Sequence, residues 1–203
     1  MKKPAILILA ILGMVAISGA KSTKLAFAWK NPNYTGGSFK NIFVLAMNGK
    51  ASSRADLEDQ MVAGITKPGI QAVPSYSLLP RPEATPINMD KLRSIVRDQN
   101  FDAILVSRLV KYDKSVIDVP GQAYPHYGTF YSYCGALSPV VYSAGYLQTE
   151  TAAQIETNFY SSAKPDGELV WTGTSNTVNP RSVSIIDAFV KLVVLELEKE
   201  GII

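Results

Sequence analysis

The 203-residue sequence contains one cysteine, Cys134, and one histidine, His126. A single cysteine excludes an intramolecular disulfide, so the folded chain depends on its core for stability. A single histidine excludes a multi-histidine metal centre and an HExxH helix, and we therefore expect neither a metal site nor a cofactor. No basic residue lies near Cys134 in the sequence to activate its thiol, which favours a buried or inert side chain.

Catalytic motifs are also absent. A Ser–His–Asp triad or a Cys–His pair would have to use His126, which lies in a Tyr-, Gly- and Pro-rich segment, and there is no G-x-S-x-G elbow. The carboxylates that could serve a glycosidase have structural explanations, because they lie at a helix start or beside a turn. They are Asp56, Glu58, Asp59, Asp166 and Glu168. We predict no catalytic residue, with a hydrolase as the least favoured alternative.

Phosphate-binding and nucleic-acid-binding signatures fail as well. The sequence "NGKAS" resembles a phosphate-binding loop, but Val44 replaces the first glycine and Ala51 stands where Ser or Thr would ligate magnesium. The chain has 20 basic and 17 acidic residues, and no basic run is interleaved with aromatic residues. This charge pattern excludes the usual footprint of a nucleic-acid-binding protein.

The first twenty residues have the three parts of a secretory signal. Lys2 and Lys3 form the basic region, residues 5–17 form an apolar run, and Ser18 and Ala20 supply small residues at positions −3 and −1. As a helix the apolar run would be about 20 Å long, shorter than the roughly 30 Å core of a bilayer. We expect cleavage after Ala20, with an uncleaved N-terminal anchor as the alternative.

The same stretch, "VAISGAKSTK", differs by one letter from the tetrapeptide at which bacteria lipidate exported proteins. Ala20 occupies the position of the lipidated cysteine, so this chain is not lipidated there. The prediction is a periplasmic protein. It would be associated with the outer membrane as a lipoprotein if Ala20 stands for a lost cysteine, and otherwise membrane association would require the uncleaved leader.

Hydrophobic periodicity predicts one α/β domain over residues 40–203, preceded by a polar, turn-rich tether over 21–39. Strands are predicted at 41–47, 70–79 and 101–113, and helices begin near Ser52 or Ser53 and at Asn88. The order β-α-β-α-β implies parallel crossovers. An antiparallel hairpin with the turn "KPDG" and a C-terminal helix follow, so the sheet should be mixed.

Residues 119–146 form an insertion with hardly a charge, too long for an ordinary connection. Its six tyrosines are Tyr124, Tyr127, Tyr131, Tyr133, Tyr142 and Tyr146. Tyrosine with glycine and serine is the composition of recognition surfaces, so these residues are candidate binding residues for a protein or a glycan. The alternative is an extended hairpin whose tyrosines stack on one another.

The chain resembles a group of small Gram-negative envelope proteins. The group includes the curli secretion channel lipoprotein, the lipoprotein activators of penicillin-binding proteins and the N-terminal domain of TolB. The resemblance rests on the leader ending "ISGA", the segments "NIFVLAM", "RADLEDQMVAGI" and "FDAILVSRLV", and the hairpin "IETNFYSSAKPDGELVWTGTSNT". It implies a mixed α/β sheet and a non-catalytic role in binding or assembling envelope components, including peptidoglycan-like glycan. A structural homo-oligomer or secretion-type scaffold is a further alternative.

Overall fold

The computed structural model describes residues 23–47, 51–80, 86–113, 129–137, 152–178 and 183–203. The chain has a mixed α/β fold in which helices cover both faces of a six-stranded sheet. The elements are β1 (Thr23–Lys30), β2 (Asn41–Ala46), α1 (Ala51–Ile65), β3 (Gln71–Pro74), α2 (Ser75–Leu78), α3 (Met89–Asp98), β4 (Ala103–Asp113), α4 (Phe130–Leu137), β5 (Ala152–Ser161), β6 (Glu168–Val178) and α5 (Val183–Lys199).

The strands lie in the order β1-β6-β5-β4-β2-β3. β2 pairs in parallel with β3 and β4, while β4, β5, β6 and β1 pair with their neighbours in antiparallel fashion. The predicted mixed sheet is confirmed. β3 is an edge strand that ends at Pro74, as expected for a residue that cannot donate to a ladder.

Alternate residues of the central strands enter two separate cores. Ile42 and Val44 of β2 pack against α1 and α5, in a cluster with Met61, Phe189 and Val193. On the opposite face, Phe43 and Leu45 belong to a cluster with residues of α3 and α4: Leu92, Val96, Phe130, Tyr131 and Cys134. Burial on both sides explains why β2 is continuously apolar rather than alternating.

Local signals predicted several boundaries correctly. Asn88 caps α3, and its side chain accepts a hydrogen bond from the Lys91 backbone N–H. The β5–β6 turn closes through a 2.9 Å hydrogen bond from the Gly167 N–H to the Lys164 carbonyl, with Gly167 at φ 73°. Glycine accepts this left-handed conformation without the steric cost of a Cβ.

The N-terminal segment differs from the prediction. Eight of the nineteen residues assigned to a tether, Thr23–Lys30, form β1, which pairs along its length with β6. The second predicted strand is also shorter, because Ser75–Leu78 form the helical turn α2. Only Thr23 of β1 is buried, and turn residues follow the strand at Asn31–Pro32 and Gly36–Gly37, which accounts for the first difference.

The start of β1 and the two strand ends that flank the Tyr-rich insertion lie at the same end of the sheet. Thr23 pairs with Thr177, Thr177 with Ala153, and Ala153 with Tyr112. The spacing of about 4.8 Å between neighbouring strands places Thr23 about 14 Å from Tyr112. Asp113 and Ala152, the last and first strand residues around the insertion, are themselves paired. The start of β1 and both roots of the insertion therefore share one end of the sheet.

Candidate functional site

The sheet face covered by α3 and α4 carries two rows of side chains in cross-strand register, which we call the polar platform. One row is Phe27, Thr174, Glu156 and Arg108, and the other is Trp29, Thr172, Asn158 and Val106. Directly paired residues of antiparallel strands point to the same face, about 5 Å apart. The platform therefore brings two edge-strand aromatic residues beside hydroxyl, carboxamide, carboxylate and guanidinium groups.

The centre of the platform is a buried ion pair. Arg108 Nη2 donates to Glu156 Oε2 at 3.0 Å, and the Asn158 Nδ2 donates to Glu156 Oε1 at 2.7 Å. The Arg108 and Glu156 side chains are only 14% and 8% exposed. Both carboxylate oxygens are engaged, so Glu156 is arranged as an acceptor that joins β4 to β5.

Helix α4 lies on the apolar part of the same face. Phe130 and Cys134 are fully buried, and the Phe130 ring meets the Tyr160 ring edge-on at 5.5 Å. The Arg93 guanidinium of α3 lies 4.5 Å from the centroid of the Tyr131 ring, a cation–π geometry. These contacts fix the middle of the Tyr-rich insertion to the sheet.

Burial raises the pKa of two tyrosine hydroxyls in this region. Desolvation raises the pKa of Tyr160, and the nearby Cys134 and Glu156 raise it further. Desolvation also raises the pKa of Tyr131, partly offset by Arg93. Both phenols are therefore neutral at physiological pH and supply no nucleophile.

The predicted binding tyrosines fall into three groups. Tyr131 is 8% exposed and belongs to the core, so it anchors α4 rather than offering an exposed contact. Tyr133 lies in α4, but its side chain is outside the described residues. The remaining four lie outside the described residues, as do His126, Ser18 and Ala20. They are Tyr124, Tyr127, Tyr142 and Tyr146.

The candidate carboxylates of the sequence are dispersed. Asp59 accepts a hydrogen bond from the Tyr76 hydroxyl at 2.6 Å, and Lys164 lies 2.8 Å from Glu168 at the β5–β6 turn. Glu58 is fully buried on the other face of the sheet, where desolvation raises its pKa. In the part of the chain that the structure describes, no three His, Cys, Asp or Glu residues are grouped to hold a metal ion.

The sequence pattern did not reveal the buried ion pair. Glu156 and Asn158 alternate with apolar Ile155 and Phe159, which predicts a solvent-facing polar side. Two signals favour a buried polar side of β5 instead. Arg108 interrupts the apolar strand β4, and β6, which pairs with β5, is rich in hydroxyl residues. A charged residue in one buried strand needs a partner in the next, which is the pairing the structure contains.

None of the described helices is long and apolar enough to cross a membrane. No protein-family model and no curated protein sequence matches the chain.

Solved structures with a similar arrangement include a PelC dodecamer from Paraburkholderia phytofirmans. It is 11% identical, the match covers 85% of this chain and 96% of that one, and the TM-score is 0.42. Lipoprotein GNA1162 from Neisseria meningitidis is 14% identical, over 79% of this chain and 99% of that one, with a TM-score of 0.40. A PDZ domain protein from Parabacteroides distasonis is 12% identical, over 87% of this chain and 35% of that one, with a TM-score of 0.43. These identities and TM-scores are too low to indicate a common function.

Proposed function

We propose that this protein is an exported, envelope-associated, non-catalytic binding protein that contacts an envelope protein or a peptidoglycan-like glycan through its Tyr-rich insertion, residues 119–146. The observation that supports the proposal best is the anchoring of α4. Phe130, Tyr131 and Cys134 are buried against the sheet. The insertion is thus attached to the domain at its middle as well as at its two roots.

Attachment at several points matters for binding because ordering a long segment costs conformational entropy. Fixing one residue costs about 1–2 kcal/mol, and binding must offset that cost for every residue that it orders. The strand ends at Asp113 and Ala152 and the helix between them are already ordered, so binding incurs no such cost for these residues. Tyrosine then supplies contact area at a low rotamer cost.

A hydrolase is less well supported. A glycosidase needs two carboxyl groups about 5–10 Å apart on either side of the bond that it cleaves. Within the described residues, the rows of the polar platform hold one carboxylate, Glu156, and its oxygens are occupied by Arg108 and Asn158. Cys134 and Tyr160 are buried. This geometry favours recognition over acid–base chemistry.

The test compares two variants of leaderless protein with a C-terminal tag. The first replaces Tyr124, Tyr127, Tyr142 and Tyr146 by serine and keeps every core residue of α4. The matched control replaces Tyr76 of α2, a partly exposed tyrosine on a different part of the chain. Both are used to recover partners from envelope extract and to co-sediment with purified peptidoglycan.

We expect the four-tyrosine variant to lose its partner or its peptidoglycan binding, while the Tyr76 control behaves as wild type. Equal recovery by all three proteins would reject the insertion as the binding element. Loss of a protein partner alone would identify the target as protein, and loss of sedimentation alone would identify it as glycan.

A homo-oligomeric scaffold is the second candidate, and it rests on the edge strand β1. β1 is the outermost strand of the sheet, and its Phe27 side chain is 44% exposed. An open edge can pair with a second chain, although the irregularity between Leu25 and Phe27 and the nearby lysines oppose it. Light scattering on leaderless protein would reject this candidate if only a monomer is found across concentrations.

A further inference from the structure

Helix α4 is held in place by its packing rather than by its own sequence. Its residues "FYSYCGAL" include glycine, serine and aromatic residues, which have weak helix propensity, and so short a helix is not stable alone in water. In the folded chain α4 contacts the sheet, α3 and the β5–β6 turn. The position of α4 therefore depends on the groups that it contacts.

The β5–β6 turn lies directly against the start of α4. Gly167 has φ 73°, and a Cβ added to it would lie 2.9 Å from the Phe130 Cβ and 3.5 Å from the Phe130 backbone nitrogen. Carbon atoms in favourable contact are about 3.5–4.0 Å apart, so a side chain at position 167 would push the turn and α4 away from each other.

The turn is held more firmly than α4, so α4 is the part that would move. The Gly167 N–H donates to the Lys164 carbonyl at 2.9 Å, and Ser161 and Glu168, which flank the turn, are paired in the β5–β6 ladder. Helix α4 is not part of the sheet and is held by packing. The absence of a side chain at Gly167 therefore determines how closely α4 approaches the turn.

Arg93 of α3 also holds α4. Its guanidinium lies 4.5 Å from the centroid of the Tyr131 ring, and Tyr131 is buried. The Asp90 carboxylate is 3.8 Å from Arg93 Nη1, but the Asp90 side chain is 98% exposed, so this ion pair contributes little. The main contact of Arg93 in this region is therefore the cation–π contact with α4.

We propose that Gly167 and Arg93 are positioning residues of the Tyr-rich insertion. They fix α4, which is the middle of the 119–146 segment, and a displacement of α4 would move the points from which the tyrosine-containing segments on either side extend. Both residues act through α4 rather than by touching the partner. This inference rests on the proposed function, because it concerns the same binding element.

Cys134 provides a measure of α4 docking that needs no partner. It is the only cysteine of the chain, it lies in α4 and it is fully buried, so iodoacetamide can label it only when α4 leaves the sheet or the domain unfolds. In leaderless protein we expect G167A to be labelled at least about tenfold faster than wild type. R93A should be labelled at least about twofold faster.

The chain offers a matched control for each variant. Gly69 also has a positive φ, 87°, but nothing lies within 4 Å of a Cβ added there, so G69A adds similar backbone strain without a contact to α4. D90N removes the exposed ion pair and keeps Arg93 over the Tyr131 ring. We expect both controls to be labelled as slowly as wild type, and R93K to lie between wild type and R93A.

The same proteins are then compared with the four-tyrosine variant for co-sedimentation with purified peptidoglycan and for recovery of envelope protein. Circular dichroism shows whether each variant is folded. We expect G167A to lose most of its binding, R93A to show a smaller loss that R93K partly restores, and G69A and D90N to bind as wild type. If G167A does not fold, R93A and D90N make the same comparison.

The outcomes distinguish this inference from the proposed function. Labelling of G167A as slow as that of G69A would show that Gly167 does not hold α4, and the inference would be wrong. If G167A is labelled quickly but binds as wild type while the four-tyrosine variant loses binding, the inference is wrong and the proposed function stands. If the four-tyrosine variant binds as wild type, the proposed function is wrong and the positioning role fails with it.

Discussion

Removal of Arg108 should reveal the energetic role of the buried ion pair on the polar platform. In R108A the Glu156 Oε2 loses its 3.0 Å donor and keeps only the Asn158 bond on Oε1. Breaking one partner of a buried pair costs about 3–5 kcal/mol, because the other charge remains buried without compensation. Since Arg108 is 14% exposed, water partly reaches the site, and we expect the lower end, about 3 kcal/mol.

The double variant distinguishes the energetic contribution of the ion pair from the cost of leaving either charge buried without its partner. Replacing both residues by apolar side chains of similar size, as in R108M/E156L, removes the two charges together. Such replacements of buried pairs are often neutral or stabilising, but here the buried Asn158 loses its acceptor, so we expect the double variant to cost about 1–3 kcal/mol, less than the sum of the two single losses. The exposed control R97A breaks a pair with Asp98 at 77% and 58% exposure, and we expect no measurable change in its free energy of unfolding.

Urea unfolding of leaderless protein measures these free energies, with the fluorescence of the buried Trp171 as the probe. A loss of about 3 kcal/mol is a large part of the 5–15 kcal/mol that stabilises an ordinary domain, so R108A should have a clearly lower midpoint. The reasoning would be refuted if R108A lies within about 0.5 kcal/mol of wild type. It would also be refuted if the double variant loses the sum of the two single losses.

Four further predictions concern the core and its boundaries. Trp171 is fully buried and its Nε1 has no hydrogen-bond partner; W171F should therefore cost under about 1.5 kcal/mol and W171A about 3–5 kcal/mol, as measured by urea unfolding followed by circular dichroism. Burial raises the pKa of Tyr160 above its ordinary value of 10.0; above pH 10 the unfolded chain loses this proton and the folded chain retains it, so stability should fall with rising pH more steeply in wild type than in Y160F. Gly167 has φ 73°, and an added Cβ would lie 2.9 Å from the Phe130 Cβ; G167A should cost about 1–3 kcal/mol, and an unchanged thermal midpoint would show that the turn and α4 can move apart. N88A removes the α3 cap and should cost about 1 kcal/mol, whereas N88D should retain most of the stability because aspartate is an equally good cap.

Sequence patterns predicted those parts of the fold whose stability is local or strongly apolar. The cap at Asn88 and the turn at Gly167 depend on neighbouring residues alone, and β4 is apolar on both faces along Ala103–Val106. The helical pattern of Leu92, Ile95 and Val96 continues to Gln99, yet Gln99 is the exposed C-cap residue of α3. The periodic pattern of a helix does not show where its last turn leaves the sheet.

The elements that were missed depend on partners distant in sequence. β1 has few buried side chains and is held by its hydrogen bonds to β6, more than 140 residues away. α4 has the sequence "FYSYCGAL", whose Gly, Ser and aromatic residues have weak helix propensity. Its helix is stabilised by the packing of Phe130 and Cys134 on Tyr160 and its neighbours, which no local pattern specifies.

The candidate site was also predictable only where it depends on composition rather than on tertiary packing. The tyrosine density of 119–146 was visible in the composition, whereas the burial of Tyr131 under Arg93 required the packing of two helices.

The position of Thr23 has a practical consequence for handling the protein. Thr23 lies about 14 Å from Tyr112, next to the strand end that leads into the Tyr-rich insertion, so a resin or surface joined to the chain just before Thr23 would shield that end of the sheet. The C-terminal residues lie elsewhere: Lys30, at the far end of β1, donates from Nζ to the Glu200 carbonyl. Immobilisation through the C-terminus keeps the support away from the strand ends that flank the insertion, and a comparison of the two orientations would show which end of the sheet contacts a partner.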